Sequence, residues 1–338
     1  MKQKRLGQTN INVSVIGFGG IPIQRYDSKT ALDTLAACKD NGINFIDSAR
    51  AYSVSEEYIG TSLSKIGRDN FYIATKAMNR TKDGFYNDII TSLKNFKTDV
   101  IDLYQIHNVG KQADFDKIFA EDGAYQAALL AQKEGKIRHI GITSHIKEMA
   151  EKLIETKKFA TVQFPFNAIE NQGLDLFARA KELDIGVIAM KPLGGGILAD
   201  LADAAIKYIV QSDMVSVAIP GMNTPQQVEQ NVLAAKSGAL TENEKLELNK
   251  LAAEIGKDFC RRCGYCLPCT QGIDIPGIMV FEGYIQRYGL ASWAKGRYET
   301  AAVKASECIE CGKCTDRCPY SLNIPQRIKW VDKYFADM

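Results

Sequence analysis

Eight short apolar runs, each followed by a segment of helical periodicity, constrain this chain more than any other feature of it. The runs are VSVIGFG (13–19), INFIDSA (43–49), FYIATKA (71–77), IDLYQIH (101–107), HIGITS (139–144), TVQFPFN (161–167), GVIAMKP (186–192) and SVAIPG (216–221). Their length and β-branched content read as strands. They are nearly continuous in apolar residues, as suits a parallel sheet buried on both faces. Between them lie patterns such as SKTALDTLAACKDNG, where Ser28 is placed to cap the start and Gly42 the end. Eight βα units in about 240 residues predict a (β/α)8 TIM barrel. The opening QKRLGQTNINVSV predicts a hairpin that closes the barrel's N-terminal end.

A further helix is expected from the capping box TENE, with Thr241 as cap and Glu244 reaching back, and with Gly256 as its end. After it the pattern changes. Eight of the nine cysteines fall in two short runs, CRRCGYCLPC and CIECGKCTDRCP. Helical stretches are expected near 276–288, 291–306 and 320–335, with no strand-rich segment. The chain therefore divides into a barrel over 1–256 and a small all-helical module over 257–338.

Clustered C-x2-C pairs in a reducing compartment read as metal ligands rather than disulfides. Cys308, Cys311, Cys314 and Cys318, followed by Pro319, have the C-x2-C-x2-C-x3-C-P spacing of bacterial two-cluster ferredoxins. Zinc is the competing reading of such pairs, whereas eight thiolates suit two [4Fe-4S] clusters. The first run departs from the pattern. Its last spacing is one residue short, and Thr270 follows where a proline is usual. In two-cluster ferredoxins the fourth cysteine of each run ligates the other cluster. By that rule Cys260, Cys263, Cys266 and Cys318 hold one cluster, and Cys308, Cys311, Cys314 and Cys269 hold the other. The clusters would also staple two distant segments, so a purely structural role stays open. Cys38, among apolar neighbours on the first barrel helix, reads as a small buried hydrophobe.

In such barrels chemistry sits at the C-terminal ends of the strands. Asp47 closes the second strand and Tyr52 follows in the next loop. Lys76 closes the third strand and His107 the fourth. Hydride reduction of a carbonyl leaves an alkoxide that needs a proton. Tyrosine can supply it, but its free pKa near 10 makes it a poor catalyst at neutral pH. A neighbouring ammonium lowers that pKa. Lys76 can play this part with Asp47 holding it, while His107 can donate a hydrogen bond to the carbonyl oxygen.

FIDSARAY, YIATK and LYQIH resemble the Asp, Tyr, Lys and His motifs of the aldo-keto reductases. GITSH, VQFPFN, MKPLGGG and IPGMNTPQQVEQN resemble that family's cofactor segments in the same order, and the likeness spans roughly residues 3–255. With the cysteine runs it resembles the family's branch with a C-terminal ferredoxin-like tail. The resemblance implies NAD(H) or NADP(H) across the top of the barrel and Tyr52 as proton donor. It implies that Ser144, His145 and Gln163 hold the nicotinamide carboxamide, with His145 where the family usually has Asn. Met190 takes the place of an aromatic ring that often stacks on the nicotinamide. The segment PLGGG (192–196), with Pro192, Leu193 and Gly194 in the implied cofactor set, would let backbone amides approach the pyrophosphate. Gly19, Gly221, Gln227 and Asn231 complete the implied cofactor set. Gly221 stands where a phosphate-clamping Lys is usual, Met222 where a hydroxyl residue is, and Gln227 where an Arg is. Thr224 is placed to cap this helix, Pro225 to open it and Gln227 to close a capping box. NADPH is therefore not expected to be strongly preferred over NADH.

A net charge of +2 with acidic and basic residues interspersed gives no reason to expect nucleic acid or a membrane surface as partner. No apolar run reaches the roughly 18 residues of a membrane span, and MKQKRLGQTN lacks a signal peptide's apolar stretch. The expected location is the cytoplasm. The expected function is nicotinamide-dependent carbonyl or alcohol chemistry on a small-molecule substrate, with clusters exchanging electrons with a ferredoxin or other electron-transfer partner. Nicotinamide moves electrons in pairs and clusters move them singly, and no separate flavin fingerprint joins the two. The alternative is an electron carrier or redox sensor whose barrel recognises a ligand or partner. The loops near 20–27, 79–85 and 108–122 carry no substrate-recognition motif.

Overall fold

Alternation decides which side chains fill the barrel and which face its helices. The computed structural model describes residues 1–255, 260, 265–286, 289–318 and 320–338. They form two compact units, Met1–Leu193 with Leu201–Thr241, and Gly194–Asp200 with Glu242–Met338. The expected boundary between residues 256 and 257, and Gly256 as a helix end, lie outside the described residues.

The first unit opens with β1 (Gln3–Arg5) paired antiparallel to β2 (Asn12–Ser14), the expected hairpin. Leu6, Ile11 and Val13 of this hairpin join Phe45, Ala74, Leu103, Ile188 and Val217 in one buried cluster. The hairpin thus plugs the barrel's N-terminal end. Lys4 fixes it there by donating to Ser212 O at 2.6 Å and Val215 O at 2.9 Å.

The barrel strands are β3 (Phe18–Gly19), β4 (Phe45–Asp47), β5 (Tyr72–Ala77), β6 (Ile101–Ile106), β7 (Ile137–Thr143), β8 (Thr161–Pro165), β9 (Gly186–Met190) and β10 (Val217–Ala218). Each pairs in parallel with the next. The run 13–19, expected as one strand, is divided between β2 and β3. The sheet closes where Gly17 N donates to Ala218 O at 2.8 Å and Ala218 N to Val15 O at 3.0 Å. Isolated parallel bridges join Ile16 to Ala218 and Gly19 to Gly221. Residues of inward parity, such as Leu103 and Ile188, fill the barrel, while outward ones, such as Tyr104 and Val187, meet the helices. Gly141 leaves room inside. A Cβ there would lie 2.4 Å from Thr161 Oγ1 and 2.9 Å from Gln105 Cγ.

The helices of this unit are α1 (Ser28–Asp40), α2 (Ser55–Ile66), α3 (Lys82–Phe96), α4 (Gln112–Phe119), α5 (Ala124–Lys133), α6 (Lys147–Glu155), α7 (Leu174–Glu182), α8 (Ala202–Val210) and α9 (Pro225–Lys236). The cap of α1 is Asp27 rather than Ser28. Its carboxylate accepts from Thr30 N at 2.8 Å and satisfies a first-turn donor. Gly42, at φ +76°, lies just past the helix end as expected. Cys38 is fully buried on α1, and burial pushes its thiol up.

The second unit contains α10 (Glu242–Ile255), α11 (Ile275–Gln286), α12 (Ala291–Glu299), α13 (Lys313–Asp316) and α14 (Ile324–Ala336). Its own core includes Ile278, Met279, Ala294, Ile328, Val331 and Phe335. The stretch expected at 291–306 ends early, at Glu299. Lys304 folds back and donates to the carbonyls of Tyr298 and Glu299, at 2.6 and 2.7 Å, which satisfies the final turn. The short α13 was not expected. Among the described residues no helix is long and apolar enough to cross a membrane.

Candidate functional site

The inward parity that fills the barrel with apolar side chains carries polar ones near its C-terminal rim. Asp47 follows inward Phe45 by two residues, and Lys76 follows inward Ala74. Gln105 follows inward Leu103, and Gln163 shares the inward face of β8 with Thr161. Asp47 and Lys76 are each 2% exposed and form an ion pair, Lys76 Nζ to Asp47 Oδ1. Lys76 Nζ also donates to Ser48 O at 2.7 Å. Gln105 Nε2 donates to Asp47 Oδ2 at 3.3 Å. Burial pulls the Lys76 ammonium down, against the raising effects of Asp47 and Glu56.

Tyr52 lies in the loop after β4 and is half-buried. Lys76 Nζ sits 5.2 Å from its ring centroid. The His107 ring stands edge-on to Tyr52, with centroids 6.4 Å apart. Its backbone N–H donates to Ala77 O at 2.9 Å, which fixes it at the end of β6. All four side chains expected to act together thus converge. A phenol, a buried ammonium and an imidazole at one rim can donate a proton, favour the phenolate left behind and donate a hydrogen bond.

The residues expected to hold nicotinamide fall on the same rim. Gln163 is 1% exposed, and among the described residues its Oε1 has no hydrogen-bond partner. A buried acceptor of this kind calls for a donor from outside the protein, and an amide NH2 fits. His145 Nδ1 lies 2.9 Å from Asn108 Oδ1, an acceptor that orients the ring. Ser144 lies just after β7 and is fully buried. Its hydroxyl donates to Val109 O at 2.7 Å and accepts from Ile146 N at 3.1 Å, so it holds the loop. Met190 ends β9, half-buried, and Pro192 is buried two residues on. Leu193 follows in the first unit, and Gly194 begins the segment grouped with the second.

Thr224 caps α9, accepting from Gln227 N at 3.3 Å, with Pro225 as its first residue. The Gln227 side chain accepts from Asn223 N at 2.8 Å, one residue earlier than a capping box requires. Gly221 has little room for any side chain, because a Cβ there would lie 2.6 Å from Pro22 Cγ. Met222 is fully buried, and Asn231 is 5% exposed on α9.

Sequence reasoning missed Glu56. This carboxylate on α2 is fully buried and accepts from Arg50, Thr75, Ser92 and Asn95. Its signal was the helical spacing it shares with Ile59, Gly60 and Leu63, which places it on the buried face.

In the second unit Cys269 from the first run and Cys308, Cys311 and Cys314 from the second line one pocket. These four cysteines are those expected to hold one cluster; among the described residues no three His, Cys, Asp or Glu side chains are placed to hold a single metal ion. The Thr270 hydroxyl lies 3.6 Å from Cys311 Sγ. Arg317 ties the runs together by donating to Leu267 O at 3.0 Å and Pro268 O at 2.9 Å. Cys266 is buried, with Cys260 and Cys318 packed against the same core. Cys263, the fourth member of the other set, lies outside the described residues.

A model of the Aldo/keto reductase family matches residues 15–203, and one of a 4Fe-4S dicluster domain matches residues 259–323. An L-galactose dehydrogenase of Arabidopsis thaliana is 26% identical over 73% of this chain and 90% of its own. Two solved structures share the fold. The aldo-keto reductase AKR11C1 of Bacillus halodurans, in its holo form, has TM-score 0.66 and 23% identity over 74% of this chain and 96% of its own. An aldo-keto reductase of Klebsiella pneumoniae in complex with NADPH has TM-score 0.64 and 22% identity over 75% and 96%.

Proposed function

The chain belongs to the aldo/keto reductase family, whose members are oxidoreductases, and carries a 4Fe-4S dicluster domain at its C-terminal end; from this premise we propose that its barrel interconverts a small carbonyl compound and its alcohol with Tyr52 as the proton donor. The observation that carries the reading is Lys76, a buried ammonium held by Asp47 with its Nζ 5.2 Å from the Tyr52 ring centroid.

A nicotinamide held at this rim would supply hydride chemistry at a substrate carbonyl. The carbonyl π pair moves to oxygen, and Tyr52 gives that oxygen its phenolic proton. The Lys76 ammonium stabilises the phenolate left behind. His107 donates a hydrogen bond to the same oxygen and orients it. Gln163 Oε1 would accept from the carboxamide of the nicotinamide, and His145 would donate to it. The reverse reaction returns the proton to the phenolate.

Cys269, Cys308, Cys311 and Cys314 would hold one four-iron cluster, and Cys260, Cys263, Cys266 and Cys318 a second. These clusters would exchange single electrons with a partner such as a ferredoxin. The test of the barrel chemistry is NAD(P)H oxidation with a panel of aldehydes and quinones. L-galactose with NAD(P)+ joins the panel because one relative bears the name L-galactose dehydrogenase. Tyr52→Phe is expected to lose about 10²–10⁴-fold in turnover while binding cofactor as the parent does. Unchanged turnover would assign the proton to another group.

A further inference from the structure

The outward face of β5 carries a charge network directly behind Lys76. Thr75 points the opposite way from Lys76, and its hydroxyl donates to Glu56 Oε1 at 2.8 Å. Ser92 of α3 donates to the same oxygen at 2.9 Å. Glu56 Oε2 accepts from Arg50 Nη1 at 2.6 Å and from Asn95 Nδ2 at 3.1 Å. All four hydrogen bonds of this fully buried carboxylate are therefore made inside the protein. Arg50 lies two residues before Tyr52 in the loop after β4. Its backbone N–H donates to Lys76 O at 3.0 Å, so its main chain holds β5 directly and its side chain does so through Glu56, which accepts from Thr75.

We propose that Glu56 and Arg50 are positioning residues: a carboxylate–guanidinium anchor behind the sheet that fixes the Tyr52 loop on the strand carrying Lys76 and adds no net charge to the site. This rests on the assignment of Tyr52 and Lys76 to proton transfer. Two observations set the anchor apart from ordinary core packing. A carboxylate and a guanidinium are costly to bury unless geometry demands them, and apolar residues would fill the space between α2 and β5. Its bonds also reach the two segments whose relative placement decides whether the ammonium faces the phenol. The charged and titratable groups facing the anchor are Asp88 of α3, 3.9 Å from Arg50 Nε, Tyr104 of β6, whose hydroxyl is 3.1 Å from Ser92 Oγ, and Lys76 across β5. Asp47 and His107 face Lys76 and Tyr52 from within the barrel.

Because the two charges balance, removing either should move the Tyr52 ionisation in opposite directions. Spectrophotometric titration of the tyrosines, taken as a difference from the Tyr52→Phe protein, reads that ionisation with no cofactor or substrate present. In Glu56→Gln the guanidinium is unbalanced and the Tyr52 midpoint should fall by about half a pH unit. In Arg50→Gln the carboxylate is unbalanced and the midpoint should rise by about as much. Both variants should lose on the order of 10²-fold in kcat through misplacement of the phenol, with KM little changed. Arg50 is partly exposed, so its variant carries the test if Glu56→Gln fails to fold. Midpoints that stay put, or that move the same way in both variants, overturn the anchor while leaving the Tyr52 assignment standing. A Tyr52→Phe protein with parental turnover sinks the assignment, and the anchor with it.

Discussion

At the scale of single residues, the site sets a stability cost apart from a catalytic one. Lys76 is buried against Asp47, so Lys76→Met leaves a buried carboxylate without its cation. That change is expected to cost about 3–5 kcal/mol, read as a shift in the denaturant midpoint, and Asp47→Asn added to it should recover part of the loss. Tyr52→Phe, by contrast, should unfold with the parent. Cofactor choice is also decided residue by residue. Gly221 is hemmed in by Pro22, and Gln227 is occupied with Asn223 N–H. Neither supplies charge for an extra phosphate. One absent charge-assisted contact is worth about 1.5–3 kcal/mol, roughly tenfold to a hundredfold in affinity. Titration with both cofactors should find NADH bound about as tightly as NADPH, and a hundredfold preference for NADPH would refute this. Asp47, Tyr52, Lys76 and His107 were legible because each stands at or just after the end of an apolar run. Glu56 was not, because an acidic residue in a helix's first turn looks like ordinary complement to the helix dipole.

At the scale of elements, the hairpin of β1 and β2 has its own pH signature. Burial, with Lys2 nearby, pulls Lys4 down to about 8 from the 10.5 of a free lysine. Between those values the unfolded chain holds a proton that the folded chain has released. Stability therefore rises with pH across that window as the folded state's penalty for a charged Lys4 is relieved. The stability difference between parent and Lys4→Met should move in the parent's favour from about pH 8 to 10.5, measured by denaturant titration at each pH. A flat difference would place Lys4 outside this linkage. The strands themselves were legible to within a few residues, because parallel strands buried on both faces leave an apolar signature. The split of 13–19 between hairpin and barrel was not legible. Both halves are apolar, and only tertiary pairing of Ser14 and Ile16 with different partners separates them. Likewise α12 ends at Glu299 through the reach of Lys304, which no periodicity records.

At the scale of the whole molecule, two units with separate cores predict separable responses to metal. About eight irons per chain are expected from two cubanes; four irons, or stoichiometric zinc, would count against them. Cys269→Ser should damage the cluster of the second run, since Cys269 shares a pocket with Cys308, Cys311 and Cys314. Stripping the iron should melt the helices of the small unit and leave the barrel's own thermal transition in place, followed by circular dichroism. Spacing marked the two cysteine runs, whose 4Fe-4S family model matches residues 259–323, whereas the tie made by Arg317 between the runs has no sequence signal. The barrel's seam has a consequence in time. Ile16 bridges to Ala218, so the first barrel strand emerging from a ribosome keeps a bare edge until the last one follows. At about 5–20 residues per second that wait lasts roughly 10–40 s. Throughout it the nascent sheet has both end strands unpaired on one side, templates for other chains. Synthesis slowed just before residue 216 would lengthen that exposure, and chaperone demand should peak there.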